Sequence, residues 1–188
     1  KCDIKKFFAS IDHEVLFLLL KNKIRDENLL RLLQEIINSF STNSRERERE
    51  RAFVLRRGIP IGNLTSQLFA NIYLNEFDYF IKYDLRIKHY IRYTDDFVII
   101  ADNADYLKLL IPGIKDFLKT KLKLELHPNK ISIRRYTQGI DYLGYVVMSK
   151  YWLVRTKTKR RIYTKLKRRV KEFKSGLIEE TTLKQSFN

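Results

Sequence analysis

The sequence predicts an α+β fold in which an antiparallel sheet packs on helices, and three features carry that prediction. Two runs rich in β-branched and aromatic residues, His89-Tyr90-Ile91-Arg92-Tyr93 and Phe97-Val98-Ile99-Ile100-Ala101, flank a tight turn, as the arms of a β-hairpin do. On either side of them apolar residues recur at helical spacing. The resulting order, β-α-α-loop-α-ββ-α-β, groups strands and helices rather than alternating them strictly.

Taken in order, residues 1–8 read as a short buried strand that carries Asp3. Asp12 is the predicted N-cap of a first helix with Val15, Leu16, Leu19 and Leu20 on one face. A second helix covers residues 26–40, with Leu29, Leu30, Leu33, Ile36, Ile37 and Phe40 in phase, and Ser41-Thr42-Asn43-Ser44 breaks it. Strict Arg/Glu alternation over residues 45–51 is polar and reads as a solvated loop or hairpin. Arg56-Arg57-Gly58-Ile59-Pro60-Ile61-Gly62 is a loop, because Pro60 holds Ile59 extended and the glycines permit tight backbone. Asn63 or Thr65 then caps a long helix to about residue 82, with Leu64, Leu68, Phe69, Ile72, Tyr73, Phe77, Phe80 and Ile81 as its core stripe. After the hairpin come a helix over 104–122, short strands near 124–126 and 131–134, and a further hairpin over 142–154. The end, from Lys157, is helical, with a break at Ser175-Gly176.

Composition narrows the function classes. A hydrophobic content of 44% with 13% aromatics supplies a real core and argues against wholesale disorder. The net charge is +16, and from Lys150 to Lys174 twelve residues are Lys or Arg against the single acid Glu172. That concentration is an electrostatic footprint for a polyanion, most plainly nucleic acid, and exceeds what a merely soluble surface requires. One cysteine, Cys2, makes no internal disulfide and suits a reducing cytoplasm. No apolar run is long enough to span a bilayer and no signal peptide is visible, so a cytoplasmic location without a membrane partner is expected. The first residue is Lys1 and a strand begins at once, so further sequence is expected upstream.

The chemistry is expected at Tyr93-Thr94-Asp95-Asp96. Two carboxylates on one turn repel unless cations neutralise them, and hard divalent ions such as Mg²⁺ take carboxylate oxygens and water as ligands. A pair of such ions about 3.5–4 Å apart can clamp both oxygens of a phosphoryl transfer.

These motifs resemble the palm of reverse transcriptases. Asp3-Ile4-Lys5-Lys6-Phe7-Phe8 is similar to the first palm motif, and residues 57–67 to the loop and helix that contact template and nucleotide. Tyr93-Thr94-Asp95-Asp96 matches the Tyr-x-Asp-Asp turn, residues 124–130 resemble the following motif with its lysine, and Tyr142-Leu143-Gly144-Tyr145 resembles the primer-grip hairpin. The order and spacing hold over about residues 1–150, which implies a palm there and the start of a basic helical thumb over 151–188. Ile61-Gly62-Asn63-Leu64-Thr65-Ser66-Gln67 resembles the form found in diversity-generating retroelement enzymes, whereas group II intron enzymes usually carry Gln before that glycine and Pro after the serine.

The resemblance implies roles. Asp3, Asp95 and Asp96, with the carbonyl of Ile4, would hold two Mg²⁺ ions, with Mn²⁺ as the alternative. Phe8 would be a steric gate against the 2′-hydroxyl, with Phe7, on the opposite strand face, as the core residue. Ile61, Gly62 and Gln67 would line the nucleotide, Ile61 implying lax copying opposite adenine; a buried loop residue is the competing reading of Ile61. Lys130 would protonate the departing pyrophosphate, and a solvent-facing turn lysine is the competing reading. Tyr93, Thr94, Tyr142, Leu143, Gly144, Tyr145, Lys157, Lys165 and Arg168 would meet primer or template, as would Arg92.

The implied function is RNA-directed DNA polymerisation from deoxynucleoside triphosphates on an RNA template, with a DNA or RNA primer and a small accessory protein as a candidate partner. The rivals are a group II intron-type or phage-defence reverse transcriptase and a catalytically inactive RNA-binding scaffold. The fingers motifs that should precede Asp3 are absent, so the 188 residues alone are expected to be inactive.

Overall fold

Chain connectivity turns sharply just after the first strand. In the computed structural model, which describes residues 1–40 and 56–185, β1 is only Cys2–Asp3, and Lys6 adopts a left-handed conformation (φ 47°) that starts the short helix α1, Phe7–Ser10. The strand expected over 1–8 therefore ends early and gives way to a turn and then helix from Phe7, because the chain bends at Lys5-Lys6 once Ile4 has entered the core. Phe7 is buried and Phe8 half-buried, their rings 5.3 Å apart edge to face. Neither lies on a strand.

Two compact units follow, residues 1–133 and 134–188. In the first, α2 (His13–Lys21) and α3 (Glu27–Asn38) begin where expected, at Asp12 and Asp26, each of which accepts two backbone N–H groups with its carboxylate. The Ser41–Ser44 breaker and the Arg/Glu run over 45–51 lie outside the described residues. Helix α4 (Leu64–Tyr79) starts at Asn63 and ends in a π-turn, Phe80–Asp84. Its buried stripe of apolar residues is Phe69, Ala70, Tyr73, Leu74 and Phe77, continued by Ile81 of the π-turn, whereas Leu64 and Leu68 are exposed. Those two leucines share a face one turn apart that points away from the Phe69–Tyr73–Phe77 row, so the core stripe is narrower than expected.

Strands β2 (His89–Tyr93) and β3 (Asp96–Ile100) form the expected hairpin, and the sheet order is β1-β3-β2, all antiparallel. Phe97 on the inner face packs at 5.0 Å against Phe77 of α4, which fastens the hairpin to the core. Helix α5 (Ala104–Leu122) matches its expected range and buries Ile114, Leu118 and Leu122. The strands expected at 124–126 and 131–134 are not formed as such. Leu126 makes one bridge to Ile4, and the segment is tied to β1 by single bonds: Lys5 N–H to Glu125 O, His127 N–H to Asp3 O and Ser132 N–H to Lys1 O, at 2.8–2.9 Å. The capped turn at Pro128–Lys130 interrupts any continuous ladder.

In the second unit the expected hairpin is a three-stranded antiparallel sheet, β4 (Ile140–Tyr142), β5 (Tyr145–Val147) and β6 (Trp152–Val154). Leu143 and Gly144 connect β4 to β5 with φ of 50° and 88°, the double left-handed pattern that suits a two-residue hairpin. Helix α6 (Thr156–Lys174) buries no residue, and after the break at Ser175-Gly176 comes α7 (Glu180–Gln185). Among the described residues no helix is long and apolar enough to cross a membrane.

Candidate active site

Antiparallel register builds the centre of the first unit. Asp3 of β1 stands opposite Asp96 of β3, and the Ile4 N–H donates to the Asp95 carbonyl at 3.2 Å. Directly paired residues point to the same sheet face, so Asp3 and Asp96 share one, together with Tyr93, which is opposite Asp96 across the hairpin. Asp95 sits on the turn between them. Its carboxylate accepts from the Thr94 hydroxyl at 2.9 Å.

Lys130 completes the cluster. The His127 ring accepts the Asn129 N–H and caps the turn Pro128–Lys130, while the His127 N–H is bound to the Asp3 carbonyl. This anchoring brings the Lys130 ammonium to 3.0 Å from Asp3 Oδ2. Its pKa is raised, first by the hydrogen bond to Asp3 and then by the charges of Asp3, Asp96 and Asp95. One cation thus feels all three acids. Lys1, which was not among the expected site residues, pairs with Asp96 Oδ2 at 3.1 Å. Nothing in its sequence context marked it.

Among the described residues no three His, Cys, Asp or Glu side chains converge as a ready metal cage. Asp3 and Asp96 turn to lysines and Asp95 to Thr94. The donor set nevertheless fits a hard divalent ion, since it is all oxygen and already attracts cationic groups.

Behind the turn, Arg92 does something other than meet nucleic acid. Its Nε and Nη2 donate to Asp78 of α4 at 2.7 and 2.5 Å, and its Nη1 donates to the Thr94 carbonyl at 3.0 Å. The side chain is 10% exposed, so the expected contact with primer or template is replaced by an internal one. Tyr90 Oη also donates to Asp78, at 2.6 Å, and burial followed by that hydrogen bond pushes its pKa up. Asp78 went unrecognised in the sequence because the partner strand lies beyond a π-turn and a loop.

The loop before α4 is tied to the first motif. Ile59 N–H donates to Phe8 O, Gly58 N–H to Ile11 O and His13 N–H to Arg56 O, at 2.8, 2.8 and 3.1 Å. Asp12, fully buried, adds an ion pair to Lys123 at 3.0 Å and lies 4.0 Å from Arg57, and its N–H donates to Tyr73 Oη at 3.3 Å. Beyond the anchored loop, Ile61 is 83% exposed, which removes the buried-residue reading. Gly62 (φ 100°) has open space where a Cβ would stand, and Gln67 is exposed in the first turn of α4. Phe8, Ile61, Gly62 and Gln67 therefore belong to one anchored segment pair.

The remaining expected residues belong to the second unit. Leu143 and Tyr145 are partly exposed at the β4–β5 turn, whose Gly144 carbonyl accepts the Arg155 N–H at 3.0 Å, and Arg155 pairs with Asp141. Tyr142 lies at the end of β4. Trp152, 65% exposed and packed edge to face on Tyr145, is a further aromatic that the sequence reading passed over. Lys157, Lys165 and Arg168 are exposed on α6, and Arg168 reaches Glu172 at 3.5 Å.

A family model described as reverse transcriptase (RNA-dependent DNA polymerase) matches residues 1–147. The chain belongs to the reverse transcriptase family. Among its relatives is the group II intron-encoded protein LtrA of Lactococcus lactis subsp. cremoris, 25% identical over 205 aligned residues that cover 76% of this chain and 33% of LtrA. The putative COX1/OXI3 intron 2 protein of Saccharomyces cerevisiae is 20% identical, covering 81% of this chain and 24% of its own length. Protein YkfC of Escherichia coli is 25% identical over 79% of this chain and 46% of its own. The chain spans about a third of LtrA and about a quarter of the yeast protein. This reverse transcriptase segment is thus group II intron-like by overall similarity.

Proposed function

We propose that this chain is the palm, over about residues 1–150, and the start of the thumb, from 151, of an RNA-directed DNA polymerase. The observation that carries the reading is the β1–β3 register, which sets Asp3 against Asp96 beside Asp95 with Lys130 bound to Asp3. In the reaction the primer 3′-hydroxyl releases its proton to water, and its oxygen bonds to the α-phosphorus of a deoxynucleoside triphosphate. The α–β phosphoanhydride bond breaks and pyrophosphate leaves.

Asp3, Asp95, Asp96 and the Ile4 carbonyl would hold two Mg²⁺ or Mn²⁺ ions, which when bound neutralise the charge of an in-line displacement. Lys130, kept protonated by its acidic neighbours, donates a proton to the leaving pyrophosphate. Phe8 lies under the sugar and disfavours a 2′-hydroxyl. Ile61, Gly62 and Gln67 face the incoming base pair and its phosphates. The exposed cations of α6 bind duplex phosphates without reading sequence.

Two subfamily readings each have an observation in their favour. Ile61 and Gln67 favour a diversity-generating retroelement enzyme with error-prone copying and a small accessory protein. The intron-encoded relatives favour a group II intron-type enzyme. Primer extension by the complete protein on RNA and DNA templates, with and without Mg²⁺, tests the activity, and errors counted opposite adenine separate the two branches. Retained biological function without any extension would favour the inactive scaffold. Robust extension by the 188 residues alone would overturn the expectation that they need the rest of the polymerase.

A further inference from the structure

Resting on that reading, we propose that Asp78 and Arg92 are positioning residues that hold the Tyr93-Thr94-Asp95-Asp96 turn in its working shape. Thr94 has φ of 50°, a left-handed conformation that costs a β-branched residue steric energy. A strained turn persists only if its surroundings over-determine it. Here the restraint is visible. Arg92 spends two nitrogens on the Asp78 carboxylate, which fixes the plane of the guanidinium, and the third is thereby aimed at the Thr94 carbonyl. Asp78 stands on α4, one residue after the buried Phe77, so the anchor is part of the core. The strained Thr94 in turn aims its hydroxyl at the Asp95 carboxylate, and the Asp95 carbonyl receives the Ile4 N–H. The chain of contacts runs from the helix, through Arg92 and Thr94, to the two strands that carry the acids.

A lysine at position 92 keeps the charge opposite Asp78 but has no planar fork with which to hold the carboxylate and the carbonyl together. A glycine at position 94 removes the steric penalty of the left-handed turn and hence most of the need for restraint; it also removes the hydroxyl bond to Asp95, so the effect of Arg92→Lys is read relative to the glycine variant itself. The proposal is therefore tested by a double-mutant cycle of Arg92→Lys and Thr94→Gly in the complete polymerase. Two readouts are used: the rate of single-nucleotide addition and amide hydrogen exchange, with thermal melting as a check on folding. Arg92→Lys is expected to slow addition at least about 10-fold in the otherwise unchanged protein, and less than about 3-fold when Thr94→Gly is already present. In the same protein without nucleotide or divalent ion, the Ile4 amide should exchange about 10-fold faster in Arg92→Lys, with the α5 amides unchanged. Thr94→Gly should cancel most of that increase. Equal effects of Arg92→Lys on both backgrounds, or a loss that follows only the folded fraction, would overturn the proposal. If the unmutated protein adds no nucleotide, the polymerase reading fails, and the exchange cycle still decides whether the clamp holds the turn.

Discussion

The ammonium of Lys130 lies 3.0 Å from the carboxylate of Asp3, 127 residues away in the chain. The acid raises the pKa of Lys130 above its ordinary 10.5. A cation whose folded pKa exceeds its unfolded value stabilises fully below the unfolded value and loses that contribution as pH rises through the folded one. The side chain is half-exposed, so the stabilisation is small. The melting difference between the unmutated protein and Lys130→Gln should accordingly be constant from about pH 7 to 9 and close above about pH 10.5, as the ordinary lysine value requires. The same substitution should slow nucleotide addition about 100-fold at neutral pH, the size expected of a lost general acid. Rapid-quench kinetics measures it.

Phe8 offers a test of sugar selection. Its ring is half-buried and packs edge to face on Phe7, and its carbonyl receives the Ile59 N–H, so its backbone is tied to the loop that leads to Gly62. Phe8→Val should raise ribonucleotide over deoxynucleotide incorporation at least about 10-fold, a difference of about 1.4 kcal/mol in the barrier. Unchanged selectivity with a lowered melting temperature would make Phe8 a core residue only.

Asp12 is fully buried, caps α2 and pairs with Lys123. Losing a cap costs about 1 kcal/mol. Breaking a buried pair adds several more, reduced here because Lys123 is partly exposed. Asp12→Ala should therefore destabilise by about 2–4 kcal/mol in urea unfolding. Since the Asp12 carboxylate also lies 4.0 Å from Arg57, in the loop that leads to Gly62, nucleotide affinity should weaken as well.

The cations of α6 predict a salt dependence. If Lys157 and Lys165 each neutralise a phosphate, replacing either with Ala should lower the slope of log affinity against log salt by about 1, whatever the template sequence. Arg168→Ala should lower it less, because its partner Glu172 already shares its charge. Fluorescence anisotropy with a template–primer duplex across a salt series measures both.

Much of this architecture was legible in the residues themselves. The hairpin, α5, the cap at Asp12 and the helix start at Asp26 follow from local periodicity and hydrogen-bonding chemistry, which act over a few residues. What was not legible depends on distant partners. The bend at Lys6 follows from Ile4 entering the core, and residues 131–134 lose strand character where the chain leaves β1. The clamp of Asp78 on Arg92 joins a helix and a strand across a π-turn that no sequence period announces. The acids and Lys130 were found through motif resemblance, whereas Lys1 and Asp78 lie in contexts that no motif singles out.

Polymerisation at this site requires Asp3 and Asp95 to serve a single reaction centre. The most direct measurement is the single-turnover rate of nucleotide addition by the complete polymerase carrying Asp3→Asn or Asp95→Asn, each isosteric with the residue it replaces. Both should reduce the rate by about 1,000-fold or more, the scale of a lost electrostatic contribution to the transition state, while template–primer affinity holds and the melting temperature moves no further than in Lys130→Gln, which breaks the same ion pair to Asp3. Extension by either variant within about 10-fold of the unmutated rate, less than about 1.4 kcal/mol in the barrier, would contradict the account.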